Sequence, residues 1–160
     1  MLLIRPAVPD DVPLLKLLIH EFAEFEHDQA FVTEESLLRD GFGSQPRFRA
    51  LIAEWNSQPA GYALFFEYYA SFQGRGIFLE DLFVRPHFRR KSVGRALLAR
   101  IAAIAQKDGC FGVMFTVMEW NSSAIEFYRE LSATFLSDRK VVCLNGKALE
   151  AIAKETKEAD

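Results

Sequence analysis

Residues 79–100 read LEDLFVRPHFRRKSVGRALLAR, a β-rich run that passes through a basic loop into an amphipathic segment. Apolar residues recur at helical spacing from Val93 onward, so the stretch predicts a strand, a turn and a helix in succession. Its part between 85 and 100 contains no acid, although the whole chain carries a net charge of −3. The basic residues there are Arg85, Arg89, Arg90, Lys91, Arg95 and Arg100. Positive charge is therefore concentrated at the start of the predicted helix.

A helix start of this composition can bind an anion. We expect Ser92 and Gly94 to lie in its first turn, where unpaired N–H groups and the helix dipole favour phosphate. A small residue such as Gly94 also allows a ligand to approach the backbone. The stretch lacks both GxxxxGK[ST] and GxGxxG, which disfavours a nucleoside triphosphate or dinucleotide site. An ordinary solvated helix start is the alternative at this point.

The rest of the chain predicts strands and helices that alternate around one sheet. Strands are predicted at 2–5, 48–54, 60–69, 76–84, 111–117, 133–136 and 141–144. Helices are predicted at 12–25, from Thr33 to about Gly41, at 93–107, at 122–131 and at 146–155. A meander of strands followed by β-α-β-α-β predicts a mixed α/β fold.

Composition limits the possible classes of protein. A chain of 160 residues that is 50% hydrophobic suits one domain over 1–160. The net charge of −3 does not favour nucleic acid or an anionic membrane. Without a secretory leader or an apolar run of roughly 18 residues, we expect a soluble cytoplasmic protein. Cys110 and Cys143 lie in apolar runs without metal-ligand spacing, so we expect both in the core and no metal.

The turn after residue 84 resembles that of the GNAT acetyltransferases. Their acetyl-CoA loop reads Arg or Gln, two residues, Gly, one residue, then Gly or Ala; here Arg89 opens the pattern, Ser92 replaces the first Gly, and Gly94 closes it. Further matches, at 4–7, 34–43, 79–84 and 118–131, resemble the spermidine/spermine branch, including the thialysine acetyltransferases. The resemblance implies the GNAT fold: a mixed, mostly antiparallel twisted sheet with a central splay, flanked by helices.

The resemblance also implies the residues that hold acetyl-CoA. They are Leu82, Phe83, Val84, Arg89, Arg90, Lys91, Ser92, Val93, Gly94, Arg95, Asn121, Ser123, Phe127 and Tyr128. The backbone of Leu82 and Val84 is expected to pair with the pantetheine arm. Asn121 is in addition a plausible helix cap. Ser132 stands where the family commonly has Gly.

Two catalytic residues follow from the resemblance and from the chemistry of amine acetylation. An ammonium group must lose a proton before it attacks, and the departing thiolate must gain one. Glu80 is expected to relay the first proton through water and Tyr128 to supply the second, while the acetyl group passes directly to the amine. Taken alone, Glu80 and Asp81 could instead form a strand-end salt bridge, and Tyr128 could be a packing residue. Glu80 and Asp81 point to opposite faces unless a bulge intervenes, and the family has one here.

The expected acceptor is a small cationic primary amine. Phe25, Glu26, Asp81, Glu119 and Trp120 match positions near the family's acceptor groove. In the polyamine branch an Asp and a Trp precede the strand that begins near 76, whereas this chain has Ala70 and Phe72. We therefore expect a thialysine-like amino acid or a short diamine ahead of a polyamine.

Three other functions stay open on the sequence. The chain could be a catalytically silent acyl-CoA sensor, a GNAT enzyme that acts on a protein or aminoglycoside amine, or a protein that binds nucleic acid through the basic loop. The basic cluster is too compact to favour nucleic acid. The resemblance also implies a homodimer.

Overall fold

The computed structural model describes residues 1–156. The chain divides into two compact units, the first being Met1–Thr116 and the second beginning at Val117. Within 1–156, no helix has the length and apolar character that a membrane crossing requires.

The first unit contains a five-stranded sheet. Its strands are β1 (Leu2–Pro6), β2 (Arg49–Trp55), β3 (Gln58–Ala70), β4 (Gly74–Val84) and β5 (Val113–Met114), in the order β1-β2-β3-β4-β5. The first four strands pair antiparallel, and β5 runs parallel to β4. This confirms the predicted mixed, mostly antiparallel sheet.

Helices cover both faces of the sheet. The first unit contains α1 (Val12–Phe25), α2 (Glu34–Phe42) and α3 (Val93–Lys107), all close to the predicted bounds. Leu97 and Ile101 of α3 are fully buried in the core cluster on one face, and Leu15 and Leu18 of α1 in the cluster on the other. Burial of a large apolar side chain stabilises a fold by about 1.5–3 kcal/mol, so these positions hold the helices on the sheet.

Strand β4 separates from β5 partway along its length. The two strands pair only where Ile77 meets Val113 and Phe78 meets Met114. Beyond that point β4 continues to Val84 without β5 beside it. This limited pairing corresponds to the predicted splay, and it makes β5 shorter than predicted.

Between Val117 and Thr156, the second unit contains two helices, α4 (Ser122–Glu130) and α5 (Gly146–Ala153). The strands predicted at 133–136 and 141–144 are wrong, because neither run belongs to a strand ladder. An apolar, β-branched run forms a strand only where a neighbour takes its backbone hydrogen bonds. Cys143 is exposed, so its predicted place in the core is also wrong.

Candidate functional site

A β-bulge at Glu80 rearranges the middle of β4. Phe65 of β3 pairs with Leu79 and the adjacent Leu64 pairs with Asp81, which leaves Glu80 as the extra residue. A bulge of this kind redirects the side chains that follow it. Leu79 accordingly packs in the cluster on the α3 face, whereas Asp81, two residues later, contacts the cluster on the α1 face. The bulge expected from the family resemblance is thus confirmed.

Asp81 lies in a buried and acidic environment. Burial raises its pKa to about 6, the nearby carboxylates of Glu80 and Glu26 act in the same direction, and a hydrogen bond from Tyr62 opposes them. The Tyr62 hydroxyl donates to Asp81 Oδ2 at 2.7 Å. Burial also raises the pKa of Glu26 above its ordinary value. Glu80, by contrast, is exposed to solvent. Asp81 and Glu26 therefore have weakened acidity, as expected where burial and neighbouring acids disfavour the charged form.

The turn after β4 is tied to the sheet and to α1. Arg85 donates two hydrogen bonds of 2.7 Å to the carboxylate of Glu21 and one of 3.1 Å to the carbonyl of Pro59. Arg89 Nε donates to the Val84 carbonyl at 3.0 Å. Bidentate pairs between Arg and carboxylate are geometrically specific, so this network fixes where the turn begins.

The backbone of the turn presents N–H groups at the start of α3. Arg90 and Ser92 have φ values of 58° and 60°. Ser92 lies just before the helix, in the left-handed region, and not in the first turn as predicted; its side chain makes no cap. The first bond of the helix ladder runs from Ala96 N to Ser92 O, so the N–H groups of Val93 and Gly94 precede it. Alternation between right- and left-handed residues forms an anion-binding concavity of the kind called a nest.

The surroundings of this turn suit a ligand that bears phosphate. A Cβ added at Gly94 would meet only a methyl group of Val84, at 3.7 Å, so the space beside the backbone is open. Arg89, Arg90 and Lys91 are exposed. The guanidinium of Arg89 lies 4.5 Å from the centre of the Phe25 ring. Free donors, cations and a small residue therefore occur together.

A cavity of about 830 Å³ adjoins the turn. It is lined by Glu21, Glu24, Phe25, Gln58, Phe83, Arg85, Pro86, His87, Phe88, Arg89 and Lys91. The lining joins the end of α1 to the loop after β4, so it includes acids, bases and aromatic rings.

In the second unit, α4 carries another set of predicted residues. Asn121 Oδ1 accepts from the N–H of Ala124 at 3.2 Å, which confirms the predicted cap. The rings of Phe127 and Tyr128 lie 5.3 Å apart, and Tyr128 is the buried residue of this helix. Of the other predicted residues in the same stretch, Glu119, Trp120 and Ser123 are exposed.

The structure thus brings the predicted residues together in two groups, one in each unit. The first unit holds Phe25, Glu26, Glu80, Asp81, Leu82, Phe83, Val84 and the turn from Arg89 to Arg95. The second unit holds Glu119, Trp120, Asn121, Ser123, Phe127 and Tyr128. In the described part of the chain, no set of three or more His, Cys, Asp and Glu residues is placed to hold a metal ion.

Sequence reasoning missed Tyr62 and the pair of Arg85 with Glu21. A buried tyrosine hydroxyl nearly always has a polar partner, and that rule was the available signal for Tyr62. Its partner, Asp81, is determined by the register of β3 on β4 and by the bulge, and neither can be predicted from the local sequence.

Comparison with known proteins agrees with this geometry. The model of the Acetyltransferase (GNAT) family matches residues 13–132. The chain belongs to the GNAT acetyltransferase family. It is therefore an acyltransferase enzyme, and GNAT acetyltransferases use acetyl-CoA.

Relatives within this GNAT family are amine N-acetyltransferases. Over 146 residues the chain is 35% identical to a thialysine N-epsilon-acetyltransferase of Bos taurus, covering 85% of this chain and 86% of that protein. Over 200 residues it is 32% identical to the L-ornithine N5-acetyltransferase NATA1 of Arabidopsis thaliana, covering 94% of this chain and 87% of that protein. These similarities support acetyl transfer to amines and confirm the resemblance to the thialysine branch.

A solved structure shares the GNAT fold of this chain. The integron cassette protein VCH_CASS6 from the mobile metagenome of V. cholerae superposes with a TM-score of 0.80. It is 19% identical in sequence, and the match covers 96% of this chain and 98% of that one. The predicted fold is therefore confirmed.

Proposed function

We propose that this enzyme moves the acetyl group of acetyl-CoA directly to a primary amine of a small cationic acceptor, with residues 1–160 acting as one acetyltransferase domain. The observation that supports the proposal is that acidic groups surround the middle of β4, whereas basic groups follow its end. The bulge of β4 presents Asp81 among acids, and the end of the same strand leads into the basic turn from Arg89 to Gly94. Carboxylates suit an ammonium group and the turn suits the phosphates of coenzyme A.

The turn and the end of β4 supply the groups that would hold acetyl-CoA. The N–H groups that precede the α3 ladder would donate to the diphosphate, and the cations of the turn would balance its charge. The part of β4 beyond β5 offers backbone groups at Leu82 and Val84 to the pantetheine arm. Bound acetyl-CoA supplies an activated acetyl thioester. The proposed contacts also include Phe83, Arg89, Arg90, Lys91, Ser92, Val93, Gly94, Arg95, Asn121, Ser123 and Phe127.

Asp81 is proposed to bind the ammonium group of the acceptor. A buried carboxyl with a raised pKa regains its charge when a cation lies beside it, so binding the amine restores the ordinary acidity of Asp81. Glu26, whose pKa is also raised by burial, adds negative charge on the same side. Phe25, Glu119 and Trp120 complete the proposed acceptor site.

Proton transfer is assigned to Glu80 and Tyr128. An alkylammonium with a pKa near 10.4 is neutral in only about one molecule in a thousand at pH 7.4, which adds about 4 kcal/mol to the barrier. The exposed carboxylate of Glu80 can accept that proton through water. The Tyr128 hydroxyl then protonates the departing thiolate.

A thialysine-like amino acid or a short diamine is the acceptor class that we favour. Strand β3 ends at Ala70, and the loop before β4 has a fully exposed Phe72; neither position holds the acid that would bind the far end of a polyamine. The substrates for which the two relatives are named, thialysine and ornithine, are amino acids with a side-chain amine. The family resemblance also favours a homodimer, and the composition of the chain favours the cytoplasm.

Release of thiol from acetyl-CoA, measured against a panel of amines, tests the proposal. We expect the highest kcat/KM with thialysine, lysine, ornithine or a short diamine, and lower values with spermine and with peptides. Tyr128→Phe should lower turnover at least about tenfold while acetyl-CoA affinity stays within a few-fold, because general acid catalysis contributes about 10²–10⁴-fold. Tyr69→Phe, at an exposed tyrosine of β3, is the matched control.

Each alternative gives a different result in this assay. Binding of acetyl-CoA without thiol release for any amine identifies a silent sensor. If thiol release is fastest with a peptide or an aminoglycoside, the acceptor is a protein amine or an aminoglycoside amine instead of a small amino acid or diamine. Wild-type turnover in Tyr128→Phe removes Tyr128 from the mechanism and leaves the transfer reaction itself standing.

A further inference from the structure

Tyr62 is a buried phenol whose hydroxyl reaches the proposed acceptor site. Its side chain is fully buried in the cluster between β3 and α1, where it lies 6.3 Å from the ring of Phe83. Phenylalanine would fill nearly the same space. The distinct contribution of tyrosine is the hydroxyl, which donates to Asp81 Oδ2 at 2.7 Å.

We propose that Tyr62 is a positioning residue, whose hydroxyl fixes the carboxylate of Asp81 in the orientation and charge state that bind the ammonium group of the acceptor. This inference rests on the proposed function. It extends that proposal by assigning the acidic limit of activity to the pair of Tyr62 and Asp81.

The geometry around the bulge explains why Asp81 needs such a partner. Asp81 follows the extra residue Glu80, so its carboxyl enters the face opposite to that of Leu79. There the hydrogen bond from Tyr62 holds Oδ2, and we assign Oδ1 to the incoming ammonium. A carboxylate held at one oxygen is preorganised for a cation at the other, which lowers the ordering cost of binding.

The titratable groups that face Asp81 determine the direction of the pH effect. They are Tyr62 from β3, Glu26 after α1 and Glu80 of β4 itself. Burial and the two glutamates favour the protonated form of Asp81, and only the Tyr62 hydrogen bond among these effects favours the carboxylate. Loss of the hydroxyl must therefore raise the pKa of Asp81 above its value of about 6. Because the carboxylate is the form that binds ammonium, activity is lost as the pH falls through this pKa, and the loss begins at higher pH without Tyr62.

The test is the pH dependence of acceptor kinetics for wild type, Tyr62→Phe and Tyr68→Phe. We expect Tyr62→Phe to shift the acidic limb of kcat/KM upward by at least about half a pH unit and to raise the acceptor KM several-fold. Its kcat at saturating acceptor above the limb should stay near wild type, since Tyr62 does not touch the reacting atoms. Tyr68 lies on the same strand with its hydroxyl 4.0 Å from Met114 Sδ, so Tyr68→Phe should leave the limb unchanged.

Two further measurements separate this inference from simple packing. Asp81→Asn keeps an oxygen that accepts from Tyr62 but does not titrate, so the part of the acidic limb that belongs to Asp81 should disappear. In a ¹³C NMR titration of the free enzyme, the Asp81 carboxyl should titrate at higher pH in Tyr62→Phe than in wild type.

An unchanged limb and an unchanged Asp81 titration in Tyr62→Phe, with only a lower Tm, would reduce Tyr62 to a packing residue and overturn the inference. Absence of thiol release from the wild type with every amine is a different result. It removes the proposed function, and with it the role of the pair in binding amine, whatever the NMR titration gives.

Discussion

Two helices of the first unit begin in opposite ways. At the start of α2, Thr33 Oγ1 accepts from the N–H of Ser36 at 3.1 Å, and Ser36 Oγ accepts from the N–H of Thr33 at 3.0 Å. At the start of α3, the Ser92 side chain makes no cap and its backbone is left-handed. A side chain of the protein thus caps the N–H of Ser36 in α2, whereas the Ser92 side chain caps no donor of α3.

The two helix starts also differ in charge, since that of α2 is acidic and that of α3 is basic. Glu34 and Glu35 occupy the first turn of α2, where negative charge is stabilised by the helix dipole. The first turn of α3 contains no acid, and Arg95 lies in it after a basic loop. Cations at a helix N-terminus are unfavourable until an anion binds there. We propose that α2 begins in a way that favours stability and α3 in a way that favours binding of an anion.

Two serines stand where the family resemblance expects glycine, and both adopt left-handed backbone. Ser92 has a φ of 60° and Ser132 a φ of 59°. Left-handed backbone costs a residue other than glycine about 1–2 kcal/mol. Serine at these two positions therefore keeps the backbone conformation that glycine favours, at some cost in stability.

The largest expected effect comes from Gly94→Val, which would fill the space beside the start of α3. We expect the Kd for acetyl-CoA, measured by calorimetry, to rise at least about tenfold, equivalent to about 1.4 kcal/mol. The fold should tolerate the change, because a Cβ at Gly94 makes only an ordinary contact with Val84. Ala99→Val, at an exposed position of the same helix, is the control and should leave the Kd unchanged. An unaltered Kd in Gly94→Val would refute the placement of the diphosphate at this turn.

A smaller effect of another kind is expected from Thr33→Ala, which removes the cap of α2. Loss of an N-cap side chain typically lowers the free energy of unfolding by about 1 kcal/mol. Chemical denaturation should detect this change, whereas the Kd for acetyl-CoA should equal that of the wild type. Weakened binding of acetyl-CoA by Thr33→Ala would break the distinction between the two helix starts.

Local sequence signals predicted most of the first unit. Hydrophobic periodicity gave α1 and α3, the Thr33 cap gave α2, and the β-rich runs gave β2, β3 and β4 with small errors at their ends. These elements form wherever local preference and burial agree. The apolar runs at 133–136 and 141–144 were wrongly predicted as strands, because a strand also needs a neighbouring strand, which a local pattern does not reveal.

The candidate site was predictable to a different extent. The basic turn could be read from its residues, whereas the bulge at Glu80 came from the family resemblance. The hydrogen bond between Tyr62 and Asp81 joins residues 19 apart through the register of β3 on β4. No local pattern specifies such a register. The positive φ of Ser92 was unpredicted for a related reason, since serine has no preference for left-handed backbone.

Backbone amide NMR during a titration with coenzyme A tests the central distinction most directly. We predict large shift changes for the amides of Val93 and Gly94 and none for those of Ser36 and Leu37, whose partners lie within α2 and its cap. Saturable binding of coenzyme A that leaves the amides of Val93 and Gly94 unperturbed would contradict the account.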